Sequence, residues 1–245
     1  MDMMLLILII EIQILNFFDI KADYDLNVMK VNQNLYGLTS IILNKMKVVL
    51  DKFKPNIVLV HGDTTTGMTA SLASFYNKSK ICHIEAGLRS FNMKMPEEIN
   101  RILCDRISTL LFCPTQNAVK NLYLEGFKRF NSTIINSGDI MKYSSKLFSK
   151  LFTKPENIKI SKKYILVTVH RAENTDDPKR LTAIFNALKK ISKTIQVILP
   201  IHPRTKKILK KNNISTGETN LISPVGYLNM GWLIKNCFII LTDSG

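Results

Sequence analysis

Two acidic residues, Asp63 and Glu85, each follow a short apolar run that ends in a polar cluster. Residues 57–60 lead into His61-Gly62-Asp63-Thr64-Thr65-Thr66-Gly67, and residues 81–84 lead into Glu85-Ala86-Gly87-Leu88-Arg89-Ser90. A further acidic pair, Glu97 and Glu98, follows Pro96. Carboxylates take and deliver protons once a closed cleft sets their proton affinity, so several around one pocket suit general acid–base work at two points of a substrate. With His61, His83 and Arg89 beside them, the set is more than a fold needs.

Each feature also has an ordinary structural account, and the residues leave both open. Asp63-Thr64 reads equally as a helix N-cap, with Thr65 and Thr66 in the first turn. His83 and Glu85 fall on one side of a strand and could hydrogen-bond each other. Glu97 and Glu98 after Pro96 fit a plain helix start, with acids at the positive end of the dipole. Their succession in one βαβα segment is harder to explain by structure alone.

Strands must carry these loops. Runs rich in Val and Ile, separated by a helix-length stretch, predict parallel strands joined by a crossover helix. In such a sheet the loops at the carboxyl ends line the ligand crevice, so Asp63 and Glu85 are expected side by side at one cleft. Upstream, residues 35–53 have helical periodicity, with Leu38, Ile41, Ile42, Met46 and Val49 on one face. Downstream the spacing predicts a helix over 96–108, a strand over 110–113 and a helix over 116–125, capped by Thr115 and stopped by Gly126. A strand over 133–136 follows, and Ser137-Gly138-Asp139 breaks the pattern.

The pattern then restarts. A strand over 164–169 ends in His170-Arg171-Ala172-Glu173-Asn174, and a helix spans 178–190. A strand over 197–201 exits through His202-Pro203-Arg204. A loop and helix over 224–236 precede a strand over 238–242 that runs into Asp243-Ser244-Gly245. Alternating strands and helices with polar strand ends predict an α/β protein of two doubly wound, Rossmann-like lobes. The expected division is 1–140, a polar connection over 141–163, and 164–245.

The 245 residues carry a net charge of +15, unevenly placed: from Lys142 to Lys211, 18 Lys and Arg stand against four acids. The lysines are spread over predicted helices with no aromatic platform or arginine-rich stripe, which argues against nucleic acid as a partner. A solvated basic face that also favours an anionic small ligand fits better. Cys82, Cys104, Cys113 and Cys237 show neither close pairing nor metal-ligand spacing, and read as buried thiols of a reducing compartment. Residues 3–10 are apolar but too short for a bilayer, and Asp2 without an early Lys or Arg argues against a signal peptide. A cytoplasmic protein with no membrane partner is expected.

HGDTTTG, HIEAGLR and PEEINR, in this order and spacing, resemble the HGDTTTT, HVEAGLR and PEEANR blocks of the non-hydrolysing UDP-N-acetylglucosamine 2-epimerases. HRAEN, ILPIHPRTKK and TDSG extend the resemblance from about Glu11 to Gly245. It implies a glycosyltransferase GT-B-like form with the sugar nucleotide between two lobes, and no metal or other cofactor. Asp63, Glu85 and Glu97 match the family's catalytic carboxylates, and His170 matches the second-lobe histidine on the diphosphate side. Ser244 and Gly245 match the start of a phosphate-binding loop, and Met230 lies near a position that packs on the uracil. Arg89, Arg171, Glu173, His202 and Arg204 are expected as supporting or phosphate-binding groups. UDP-N-acetylglucosamine and UDP are the implied ligands, and a homodimer is expected.

Inverting carbon 2 of an N-acetylated sugar is not simple proton exchange, because no neighbouring carbonyl acidifies its hydrogen. Elimination of UDP across carbons 1 and 2, then re-addition with a proton on the other face, needs carboxylates on two sides of the ring. It also needs positive or hydrogen-bonding groups on the departing diphosphate. The expected product is UDP-N-acetylmannosamine, for surface polysaccharide or glycan synthesis. A hydrolysing epimerase releasing N-acetylmannosamine, a GT-B glycosyltransferase and an inactive UDP-sugar-binding fragment stand as alternatives. The family's opening strand and Gly-Thr-Arg-Pro-Glu loop have no counterpart in residues 1–10, and the second lobe stops after a strand, so a truncated, poorly active chain is expected.

Overall fold

In the computed structural model, which describes residues 6–7, 19, 21–28, 33–156 and 158–243, the chain divides into two units, Met1–Tyr143 and Ser144–Gly245. The first opens with β1 (Leu6–Ile7) paired in parallel with β2 (Tyr24–Asp25). Part of the stretch expected to match no element thus supplies a two-residue strand. The helix α1 (Leu35–Phe53) follows, its first turn capped by Asn34 Oδ1, which accepts from Gly37 N at 2.8 Å. Its periodic face buries Ile42, Met46, Val49 and Leu50 in a cluster with Leu26, Val28, Val60 and Ile81.

Then come β3 (Ile57–His61), α2 (Thr65–Tyr76), β4 (Lys80–Ile84), α3 (Pro96–Ile107), β5 (Leu110–Cys113), α4 (Gln116–Leu124) and β6 (Thr133–Asn136). All four strands are parallel, in the order β3-β4-β5-β6, so their carboxyl ends share one edge. Small residues let α2 pack closely against its neighbours. The buried hydroxyls of Thr69, Ser71 and Ser74 are satisfied by the carbonyls of Thr65, Gly67 and Ala70, at 2.7–2.9 Å.

The polar connection is helical at its start, as α5 (Ile140–Phe148). Asp139, expected to break the pattern, starts this helix instead: its Oδ1 accepts from Met141 N and Lys142 N at 2.8 and 3.0 Å.

The second unit continues with β7 (Tyr164–Thr168), α6 (Ala172–Thr175), α7 (Pro178–Ser192), β8 (Gln196–Pro200), α8 (Pro203–Lys211), β9 (Asn220–Ile222), α9 (Tyr227–Asn236) and β10 (Ile239–Thr242). Its sheet is also parallel, in the order β10-β7-β8-β9. The chain moves one way from β7 to β9 and returns on the other side with β10. The strand order therefore reverses between β7 and β10, and ligands of open α/β sheets bind beyond the carboxyl ends at such a switch point. β7 is buried, with Leu166 and Val167 inside, whereas β10 is an edge strand exposed along its length.

Gly231, unusual inside a helix, is explained by packing. A Cβ there would lie 2.5 Å from the Phe152 ring, so only glycine lets this aromatic reach α9. Among the described residues no helix is long and apolar enough to cross a membrane.

Candidate active site

Two loops meet at the carboxyl edge of the first sheet. After β3 the chain turns at Gly62 (φ +71°), whose N–H donates to Ile84 O at 3.1 Å, and then presents Asp63. Thr64, not Asp63, caps α2, its Oγ1 accepting from Gly67 N at 3.1 Å. The Asp63 carboxylate is thereby free of capping duty and pairs with Arg101 from α3. The Asp63 carbonyl accepts from Asn100 Nδ2 at 2.9 Å, so the Asn-Arg end of PEEINR holds this loop.

Glu85 stands directly beyond β4 in a left-handed conformation (φ +74°). Glutamate adopts this region rarely, at a cost of about 1–2 kcal/mol, and such strain clusters at functional sites. The N–H groups of Glu85 and Ala86 both donate to Phe112 O at 3.0 Å, which fixes the turn. The half-exposed carboxylate lies over Gly62, with Oε2 3.7 Å from His61 Nε2. Asp63 and Glu85 thus leave adjacent strand ends, and His61 joins them. In the sequence His61 stands out only as a member of this set, with no role of its own, although it opens the HGDTTTG block.

The acidic pair at the start of α3 splits between two surroundings. Glu97 is exposed in the first turn, while Glu98 is buried. Glu98 accepts from Ser90 N, Ser90 Oγ and Phe91 N at 2.8–3.0 Å and pairs with Arg101 at 2.8 Å. Burial alone would raise its carboxyl, but these donors and the Arg101 charge outweigh it and hold the group below the usual carboxylate range. Its stabilisation is therefore complete above about pH 4.3, the unfolded value, and is lost as pH falls through the lower folded value. Glu98→Gln should cost about 2 kcal/mol at neutral pH, the scale of a charged hydrogen-bond set. In urea titrations the gap to the parent protein should narrow below about pH 4; a gap independent of pH would show that the charge of Glu98 is not what holds the loop.

Arg89 lies inside the protein, held between two carboxylates. Its side chain is 1% exposed, bound to Glu125 at 2.6 and 2.8 Å and to Asp105 at 2.8 Å. Burial works against the guanidinium charge, but Glu125 and Asp105 more than offset it and raise its pKa. His83 does not bond Glu85, the structural alternative that strand alternation left open. Glu85 turns away past the strand end, and His83 binds Asp105 and the Gly62 carbonyl instead.

In the second unit, His170 sits at the end of β7, at the switch point, with its side chain exposed. Asp243, just beyond β10, accepts from His170 N at 3.1 Å, Arg171 N at 3.0 Å and Asn174 Nδ2 at 3.0 Å. Burial again opposes the charge, yet these donors keep the Asp243 carboxyl below its ordinary range. Asp243, which sequence reasoning did not single out, thereby joins the two strand ends and orients the His170 turn.

His202 caps α8, its Nδ1 accepting from Arg204 N at 3.2 Å, and Arg204 forms a two-pronged pair with Asp176 at 2.6 and 2.7 Å. Arg171 stands 3.9 Å from Glu173. Met230 packs partly buried against the cluster of Tyr164, Leu166, Ile198 and Leu233. Ser244 and Gly245 lie outside the described residues.

The sequence profile described as UDP-N-acetylglucosamine 2-epimerase matches residues 10–245. The chain belongs to this family. Its fold is the α/β type expected, with Rossmann-like parallel sheets of the GT-B-like class.

Among family relatives, the UDP-2,3-diacetamido-2,3-dideoxy-D-glucuronate 2-epimerase of Pseudomonas aeruginosa is 46% identical over 227 residues, covering 92% of this chain and 63% of that protein. The UDP-N-acetylglucosamine 2-epimerase of Campylobacter jejuni is 40% identical, covering 95% and 65%. The solved structure of the Methanocaldococcus jannaschii enzyme in complex with UDP-GlcNAc and UDP superposes with a TM-score of 0.85 at 37% identity, covering 96% and 67%. The chain thus spans 63–65% of the length of these curated relatives.

Proposed function

We propose that this protein inverts carbon 2 of a UDP-linked 2-acetamido sugar, interconverting UDP-N-acetylglucosamine and UDP-N-acetylmannosamine for surface polysaccharide or glycan synthesis. The observation that carries this reading is the placement of Asp63 and Glu85 at adjacent parallel strand ends, with Glu85 in a strained left-handed turn. A base takes the carbon 2 proton while the bond from carbon 1 to the UDP oxygen breaks, its electron pair leaving with UDP. The alkene that remains takes UDP back at carbon 1 and a proton on the opposite face of carbon 2. Asp63, Glu85 and the exposed Glu97 are the groups available for these transfers. His170, at the second unit's switch point, serves the diphosphate. Met230 is assigned to the uracil side, Ser244 and Gly245 to the phosphates, and Arg171, Glu173, His202 and Arg204 to supporting the His170 turn and its neighbours. A cytoplasmic homodimer using no metal or organic cofactor belongs to the same reading.

In deuterated water, product and recovered substrate should both carry deuterium at carbon 2, read by nuclear magnetic resonance. Epimerised product without label would rule out the elimination route. Free N-acetylmannosamine alongside UDP would assign the hydrolysing outcome, and transfer to an acceptor without epimerisation would assign a glycosyltransferase.

The 46% identity to a protein named for a diacetamido glucuronate favours a second reading of the substrate. Both sugars carry an acetamido group at carbon 2, so the same elimination serves either. Offering both nucleotides in one competition assay decides between them.

A further inference from the structure

A buried polar chain runs under both carboxylate loops, and the proposed chemistry makes no use of it. His83 in β4 and Asp105 in the last turn of α3 are each 0% exposed. His83 Nδ1 lies 2.7 Å from Asp105 Oδ1, and His83 Nε2 lies 3.0 Å from the carbonyl oxygen of Gly62, the residue before Asp63. Asp105 Oδ2 accepts from Gly87 N at 3.2 Å, two residues after Glu85, and from Arg89 at 2.8 Å. One carboxylate thus reaches both loops, the second directly and the first through the imidazole.

A carbonyl oxygen accepts only, so Nε2 donates to Gly62, and the Nδ1 edge of the ring faces the Asp105 carboxylate. Arg89 and Glu125 extend the ion-pair set on the other side of Asp105. Cys113 nearby remains a neutral thiol, its pKa pushed up to about 12 by burial.

We propose that Asp105 is a positioning residue of the epimerisation, holding the His83 ring against the Gly62 carbonyl and fixing the Gly62–Asp63 and Glu85–Gly87 loops relative to each other. This rests on the function proposed above. The group neither touches substrate nor transfers its proton; it keeps the two carboxylate loops in register.

The test combines spectroscopy with kinetics. With ring-labelled histidine, of which the chain has four, the His83 signals are identified by their loss in His83→Gln. Nε2 should show a protonated-type shift at neutral pH; a pyridine-type Nε2 would overturn its bond to the Gly62 carbonyl and with it the link to the Asp63 loop. Asp105→Asn should lower kcat about 10- to 100-fold, the range for removing a supporting partner, with KM changed by less than about threefold.

In a background carrying both Glu85→Gln and Asp63→Asn the same change should lower the residual rate by less than about threefold, because its effect runs through loops already disabled. A full multiplicative loss would mean a general structural role and overturn the proposal. If Asp105→Asn does not fold, His83→Gln enters the same cycle. Hydrogen exchange at the Gly87 amide should speed up in Asp105→Asn whatever the turnover, and an unchanged rate would refute the clamp. A parent protein inactive on both nucleotides but protected at Gly87 would overturn the epimerase reading and leave the clamp standing.

Discussion

Glu85→Gln is expected to lower turnover by a factor on the order of 100 or more, the scale of a lost general acid or base, with little change in nucleotide affinity. Glu85→Gly should lower turnover as much, yet raise stability by about 1 kcal/mol, because glycine adopts φ +74° without the strain that glutamate bears there. A residue kept for stability alone would not occupy this region, so the opposed signs separate a catalytic carboxylate from a structural one. Asp63→Asn should match the loss of turnover but not the gain in stability, since it weakens the half-exposed pair with Arg101. Parallel assays of turnover and urea midpoint check all three variants. Near-normal turnover in both Glu85→Gln and Asp63→Asn would return these carboxylates to the ordinary structural roles that their sequence also allows.

Much of the scaffold is legible because apolar periodicity and caps are local signals. The helix over 35–53 and the strands over 110–113 and 133–136 form with the expected bounds, and Thr115 caps α4 by accepting from Ala118 N at 3.1 Å. The α5 helix was legible only as helical lysine spacing inside a polar connection, and its start at Ile140 was not, because no residue of it is buried to mark a core-facing side. The short β9 strand escaped for a related reason: three residues carry no period, and its place is set by pairing with β8.

At the site, residue types were readable and partners were not. Glu97 and Glu98 are chemically identical neighbours, and only the 88–91 loop folding back onto α3 decides that Glu98 is buried. His83 looked like a partner for Glu85 by strand alternation, but the left-handed turn at Glu85 ends that alternation. Asp105 lies 20 residues beyond Glu85 in sequence. Its role appears only when α3 packs beside β4, which no local pattern announces.

Gly87→Ala is expected to cost about 3 kcal/mol or more, the largest loss of stability among single methyl additions at the site. Two penalties act together. The backbone at φ +78° disfavours any residue with a Cβ by about 1–2 kcal/mol. The added methyl would also lie 2.4 Å from Ala118 O and 2.9 Å from Ala118 C, in rigid helix backbone, and such overpacking costs about 1–3 kcal/mol. The displacement would strain the Gly87 N–H bond to Asp105 and the Asn121 bond to Gly87 O at 2.9 Å. Glu85 would shift with them and turnover would fall. Gly126→Ala is the control: its φ is +84°, but nothing lies within 4 Å of the new methyl, so only the backbone penalty of about 1 kcal/mol remains. Denaturant titration of the pair isolates the contribution of the close approach to α4. If Gly87→Ala loses no more stability than Gly126→Ala, the loop yields to the methyl, and the fixed placement of Glu85 that both the proposed chemistry and the Asp105 clamp depend on must be abandoned.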